Sequence, residues 1–170
     1  LKVENGIVLP DTEQDVAMVS VLERFGRNGN KSLAFCSGWK LKKGAMASSA
    51  APDDNNLVVM GVNAEDMSIA VNYLIEQGGG QVVVADGEIL EFLPLPVGGI
   101  VSDREPEEIA AHEKLIDQAA RSLGSDLPDP MMYMFFLPIT AIPDYAITDA
   151  GPVDYVALTT FDPVLEVVEK

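Results

Sequence analysis

Residues 57–92 read LVVMGVNAEDMSIAVNYLIEQGGGQVVVADGEILEF, and the order of signals in this stretch decides the fold class. Leu57-Val-Val-Met60 is an apolar run short enough for a buried strand. Asn63 is a good helix N-cap, and Asp66 stands at the third helical position, completing a capping-box-like pair. Met67, Ala70, Val71, Leu74 and Ile75 recur at helical spacing, so a helix over Ala64 to Gln77 is predicted to bury one apolar stripe. Gly78-Gly-Gly80 ends it with residues that accept positive φ at a C-terminal cap. Val82 to Ala85 and Glu88 to Phe92 then flank Asp86-Gly87, the strongest short hairpin signal in the chain.

Working outward, Val16 to Leu22 alternates and is β-branched enough for a strand. Gly26-Arg-Asn-Gly-Asn30 reads as a hairpin turn and Ser32 to Trp39 as the returning strand. Pro106 sits well as the first residue of a second helix. Its buried face is read as Ile109, Leu115, Ile116, Ala119, Ala120 and Leu123, and Gly124 stops it. Met131 to Leu137, Val153 to Leu158 and Val164 to Val168 are read as strands. Strand pairs joined by tight turns, with only two long helices, predict an α+β fold, an antiparallel or mixed β-sheet with two main helices packed on it. The alternative is α/β, because strand, helix, strand over Leu57 to Ala85 can form one parallel crossover.

The chain has 170 residues, the usual size for one core, and 48% of them are hydrophobic. Residues 1–15 are read as a lead-in from a preceding domain and residues 16–170 as the domain itself. Leu1 is not a methionine, so the chain is expected to start inside a longer gene product. Its longest apolar runs fall far below the ~20 residues of a membrane helix, and no signal-peptide pattern opens it. With 27 acidic and 11 basic residues the net charge is -16. A nucleic acid or an anionic membrane surface would be repelled, so neither is expected as a partner. Cys36 stands alone, which allows no intrachain disulfide and suits a reducing, cytoplasmic compartment. Its apolar strand-like setting, with no nearby base, reads as a buried structural cysteine rather than a nucleophile.

Catalytic constellations are sparse. His112 is the one histidine, in the middle of the second helix, where it reads as exposed or packed at the helix border rather than as a ligand. Glu105, Glu107 and Glu108 cluster where acidic groups complement a helix N-terminus. Gly78-Gly-Gly80 follows a helix rather than opening one, so it is a cap and not a phosphate cradle. The most informative polar stretch is Gly44-Ala-Met-Ala-Ser-Ser-Ala-Ala-Pro-Asp-Asp-Asn-Asn56, a connection rich in short hydrogen-bonding side chains. It reads either as an Asx-rich turn bonded to its own backbone or as a loop that positions a ligand.

A resemblance bears on that choice. Lys42-Lys-Gly-Ala-Met-Ala-Ser-Ser49, Asp53, Asn56 and Asn63-Ala-Glu-Asp-Met67 are followed by Asn72-Tyr-Leu-Ile75 and Gly78-Gly-Gly-Gln-Val-Val-Val84. Leu93-Pro-Leu-Pro96, Ser102-Asp103 and Leu127-Pro-Asp-Pro130 complete the series. In order and spacing, over about residues 16 to 168, these pieces resemble the C-terminal domain of the adenine deaminases of the metal-dependent amidohydrolase superfamily. The resemblance implies a parent enzyme that converts adenine and water to hypoxanthine and ammonia. It implies a divalent metal (manganese, iron or zinc) held by a separate N-terminal (β/α)-barrel, with no cofactor and no catalytic residue in this chain. The implied partners are that barrel, adenine or a related purine, and further copies in a homo-oligomer. Ser48, Ser49, Asp53 and Asn56 match the family motif and are the candidate substrate-side residues. The chain departs from the pattern at Pro52 and Asn55, where the family carries histidines, and at Asp54, where a serine is usual.

Two main readings of function follow, with an independent small-molecule-binding domain as a weaker third. The loop can close over the rim of the barrel's purine site, or the domain can be architectural, mediating subunit contacts while the loop only caps the sheet. The position of the loop relative to the largest exposed apolar face separates them, since only a loop bordering that docking surface can reach a barrel.

Overall fold

The computed structural model describes residues 1–52 and 54–164. The chain opens with a hairpin of β1 (Lys2–Glu4) and β2 (Ile7–Leu9). Asn5 and Gly6 turn it at φ 52° and 77°, the positive values that a two-residue hairpin requires. There follow β3 (Ala17–Leu22), β4 (Lys31–Cys36), β5 (Ala45–Ser48), β6 (Leu57–Gly61), α1 (Ala64–Gln77), β7 (Gly80–Ala85) and β8 (Glu88–Pro94). The remainder is α2 (Pro106–Ser122), α3 (Pro130–Phe135), β9 (Tyr145–Thr148), β10 (Gly151–Asp154) and β11 (Thr159–Thr160).

The main sheet runs β4-β3-β6-β5-β7-β8, with every neighbouring pair antiparallel. The α+β expectation therefore holds. The parallel crossover survives only in split form. β6 and β7 both run antiparallel to β5 and so parallel to each other, with α1 linking them, but β5 lies between and no parallel ladder forms.

Both faces of the sheet are covered. Ala45, Ala47, Leu57, Val59, Val82 and Val84 pack with Met67, Ala70 and Leu74 of α1. Met46, Val58, Met60, Val83 and Ala85 pack on the other side with Ile116 and Ala120 of α2 and Met131 and Met134 of α3. A strand buried on both faces reads as a continuous apolar run, which is why Val82, Val83 and Val84 are all fully buried. A second sheet, β11-β10-β9, leans on the β4 edge, where the Ser32 hydroxyl donates to the Thr148 carbonyl.

Several expectations are corrected by packing. Ala45–Ser48, read as part of a polar connection, is a central strand. Its alanines suit a close approach to α1, and a Cβ on neighbouring Gly61 would stand 2.8 Å from the Ala45 Cβ and from the Met67 Cγ. Asn63 caps α1 by accepting from the Glu65 N–H at 2.8 Å, yet Asp66 does not complete a capping box. Its buried carboxylate turns inward and accepts from the Gly87 N–H. The α1 stripe is narrower than read, because Ile75 is 64% exposed. Leu115 likewise points out of α2, while its neighbour Ile116 is buried. Met131 to Leu137 is not a strand. Asp129 accepts from the Met132 N–H and Pro130 opens the helix, so cap chemistry overrides the apolar run there. The strand read at Val153 to Leu158 stops at Asp154, and Leu158 has a positive φ of 54°. Of the strand read at Val164 to Val168, residues 165–168 lie outside the described residues.

Candidate functional site

β5 ends at Ser48 and β6 starts at Leu57, so residues 49–56 must reverse the chain at one end of the sheet. The reversal is tightly bonded. The Ser48 hydroxyl, fully buried, donates to the Ala50 carbonyl at 3.0 Å and accepts from the Ala50 N–H at 3.1 Å. The Ser49 hydroxyl donates to the Gly99 carbonyl at 2.6 Å and accepts from the Gly80 N–H at 2.8 Å. The Asn55 N–H closes a turn onto the Ala51 carbonyl at 2.7 Å. The Asn56 side chain donates to Asp54 Oδ2, and its N–H donates to Asp54 Oδ1, both at 2.9 Å. Asn55 holds φ at 51°, a conformation that asparagine tolerates better than most residues.

Of the four candidate residues, Ser48, Ser49 and Asn56 are buried, each bonded to the loop or to adjoining backbone. Asp53, the fourth candidate, lies outside the described residues. The three bonded side chains brace the loop, and Pro52 is exposed at its tip.

The brace extends to a second loop, after β8. Gly79 and Gly99 touch across the junction, since a Cβ on Gly79 would stand 2.4 Å from the Gly99 Cα and 2.8 Å from the Ser49 hydroxyl. Only glycine permits that approach, at φ 123° for Gly79 and 74° for Gly99. Arg24, just beyond β3, joins the two loops. Its Nε donates to the Asn55 carbonyl at 2.5 Å and its Nη2 to the Gly98 carbonyl at 2.9 Å. Partial burial lowers its pKa from the ordinary guanidinium value, and it remains charged at neutral pH. No spacing pattern marks Arg24 in the sequence, because its partners are backbone carbonyls more than thirty positions away.

Around this junction stand exposed apolar side chains. Phe25 adjoins Arg24, whose guanidinium lies 4.7 Å from the ring centroid. Val97, Ile100 and Val101 belong to the loop that Arg24 holds, and Phe25, Val97 and Val101 are each half-exposed or more. Exposed apolar side chains thus stand beside the Arg24 junction of the two loops. A separate exposed apolar set lies at Ile142, Tyr145, Val156 and Leu158.

Elsewhere the chemistry is sparse. His112 is half-buried, with Nε2 3.0 Å from Glu91 Oε1 on β8, so it packs at the helix border. Burial pushes the Cys36 thiol up to about 12, with the Asp15 carboxylate adding to the effect. Cys36 lines an apolar cavity of about 220 Å³ between β3, β4 and the small sheet. A polar cavity of about 80 Å³ beside α2 and α3 is lined by Gln81, Glu113, Asp117 and Asp129. Among the described residues no group of three or more histidine, cysteine, aspartate or glutamate side chains is placed to hold a metal ion. No helix among the described residues is long and apolar enough to cross a membrane.

Comparison with known proteins converges on one family. A family model described as the adenine deaminase C-terminal domain matches residues 1–159. "Adenine deaminase 1" of Desulfotalea psychrophila is 81% identical over 165 residues, covering 97% of this chain and 28% of that protein. "Adenine deaminase 1" of Latilactobacillus sakei is 65% identical over 167 residues, covering 98% of this chain and 28% of the relative. "Adenine deaminase 4" of Rhizobium meliloti is 56% identical over 164 residues, with coverages of 96% and 27%. The chain thus spans little more than a quarter of the length of these relatives.

Proposed function

Because this chain belongs to the adenine deaminase C-terminal domain family, we propose that it serves as the C-terminal module of an adenine-deaminating amidohydrolase. In this reading it packs on an N-terminal catalytic barrel and closes loop 49–56 over the rim of the purine site. The carrying observation is that Arg24 joins the braced loop to the loop that bears the exposed Val97 and Val101, with exposed Phe25 next to it in the chain. A loop stiffened by its own hydrogen bonds and flanked by a docking surface can exclude water and hold a ring in place without making or breaking a bond. In this reading metal-activated water and proton transfer are assigned to the barrel. Residues 1–15 serve as the lead-in from the barrel, and the parent works in the cytoplasm as a homo-oligomer.

Within the loop the roles divide. Ser48, Ser49 and Asn56 brace it, while Asp53 is assigned to the substrate entrance, where a carboxylate can accept from an exocyclic amine or a ring N–H. The test uses the full-length parent, measuring adenine deamination and melting temperature together. Asp53→Asn is expected to lower kcat/KM with the melting temperature unchanged, and by far less than loss of a barrel metal ligand. Pro52→His and Asn55→His, which restore the family pattern, are expected to leave activity unchanged or raise it. Full activity in Asp53→Asn with a clearly lower melting temperature would make the loop architectural.

A further inference from the structure

We infer that Arg24 is a positioning residue that clamps loop 49–56 and the loop at residues 95–101 into a single rim, an inference that rests on the module reading above. Three observations carry it. The guanidinium donates from Nε to the Asn55 carbonyl and from Nη2 to the Gly98 carbonyl, so one rigid planar group reaches both loops at once. The Arg24 backbone N–H also faces Asn56 Oδ1 at 3.4 Å, which ties the same loop to the end of β3 through the main chain. Finally, a Cβ on Gly99 would stand 2.8 Å from Arg24 Nη1, so the second loop carries a glycine where the guanidinium needs room.

The chemistry of the clamp separates it from substrate binding. Both Arg24 hydrogen bonds go to backbone carbonyls, which carry no net charge, and an aminopurine is neutral at physiological pH. Among the described residues the Arg24 guanidinium forms no ion pair, and its side chain bonds only to these two carbonyls. Its charge strengthens two hydrogen bonds that fix where Asn55 stands relative to Gly98. A lysine supplies a point charge on a flexible stem and can hold one loop but not the pair in register.

The experiment compares wild type, Arg24→Lys and Arg24→Ala in the full-length, metal-loaded parent enzyme with adenine as substrate. Loss of one charge-assisted hydrogen bond corresponds to about a tenfold effect, so KM is expected to rise about tenfold in Arg24→Lys, which can keep one loop, and further in Arg24→Ala, which loses both bonds, while kcat changes much less. Methylguanidinium added to Arg24→Ala is expected to bring KM back toward wild type, a response that general destabilisation does not give. Limited proteolysis should cut residues 49–56 and 95–101 faster in both variants. An unchanged KM in both variants, or a loss that tracks only the folded fraction and resists methylguanidinium, would overturn the clamp. If Arg24→Ala does not accumulate, the KM and proteolysis of Arg24→Lys decide the matter. A parallel enzyme with residues 52–55 replaced by glycines separates the two proposals. If it raises KM while the Arg24 variants do not, the clamp falls and the loop reading stands. If it leaves KM unchanged, the loop reading falls and takes the clamp with it.

Discussion

The carboxylate of Asp66, buried in the first turn of α1, accepts the backbone N–H of Gly87 at 2.9 Å. This one bond fixes the start of the helix to the turn between β7 and β8, twenty-one positions away. It ties the helix that covers one face of the sheet to the hairpin at its edge. Asp66→Ala is expected to lower stability by about 1 kcal/mol, the usual net worth of one hydrogen bond, while Asp66→Asn keeps an acceptor and loses less. Urea unfolding midpoints measure the difference. Equal midpoints for wild type and Asp66→Ala would mean that the tie contributes nothing.

The two faces of α1 predict opposite responses to the same substitution. Leu74 is 1% exposed and Ile75 is 64% exposed. Leu74→Asp puts an unpaired charge in the core and is expected to unfold the chain or come close to it, whereas Ile75→Asp should change stability by less than about 0.5 kcal/mol. Asn63→Ala falls between them, at about 1 kcal/mol for a lost N-cap. Thermal melts of the three variants test the order, and similar losses for Leu74→Asp and Ile75→Asp would show that the helix face is misassigned.

Cys36 gives a pH-dependent expectation. Burial, with the Asp15 carboxylate second, holds the thiol pKa at about 12 against an ordinary value of 9.0. The folded chain therefore keeps this proton across a window in which the unfolded chain releases it. The unfolded state binds fewer protons there, so stability falls as pH rises from about 9 toward 12, with no contribution from this group below that window. At pH 8 the thiolate fraction, and with it the rate of reaction with a thiol reagent, should be about a thousandfold below that of an unfolded control. Labelling of native protein at the unfolded rate would contradict the burial of the thiol.

Much of this was legible in the chain itself. The cap at Asn63, the glycines after Gln77, the Asp86-Gly87 turn and the proline opening α2 are local signals, because each acts on backbone within a few positions of itself. They were enough to predict the α+β class and the bounds of α1. The sequence marked residues 44–56 as rich in short hydrogen-bonding side chains, and the backbone-bonded turn it offered as one reading is seen at Ser48, Ser49 and Asn56. Tertiary structure decided what could not be local. Ala45–Ser48 is a strand because β6 and β7 pair with it on either side, and nothing in Ala-Met-Ala-Ser announces two partners. Asp66 leaves its cap position because a hairpin turn comes within hydrogen-bond reach, and Ile75 stays in solvent because it lies off the face of α1 that Leu74 buries. Arg24 had no signature at all. Its partners are the carbonyls of Asn55 and Gly98, and a backbone carbonyl is the same for every residue type, so only the folded chain brings them to one guanidinium.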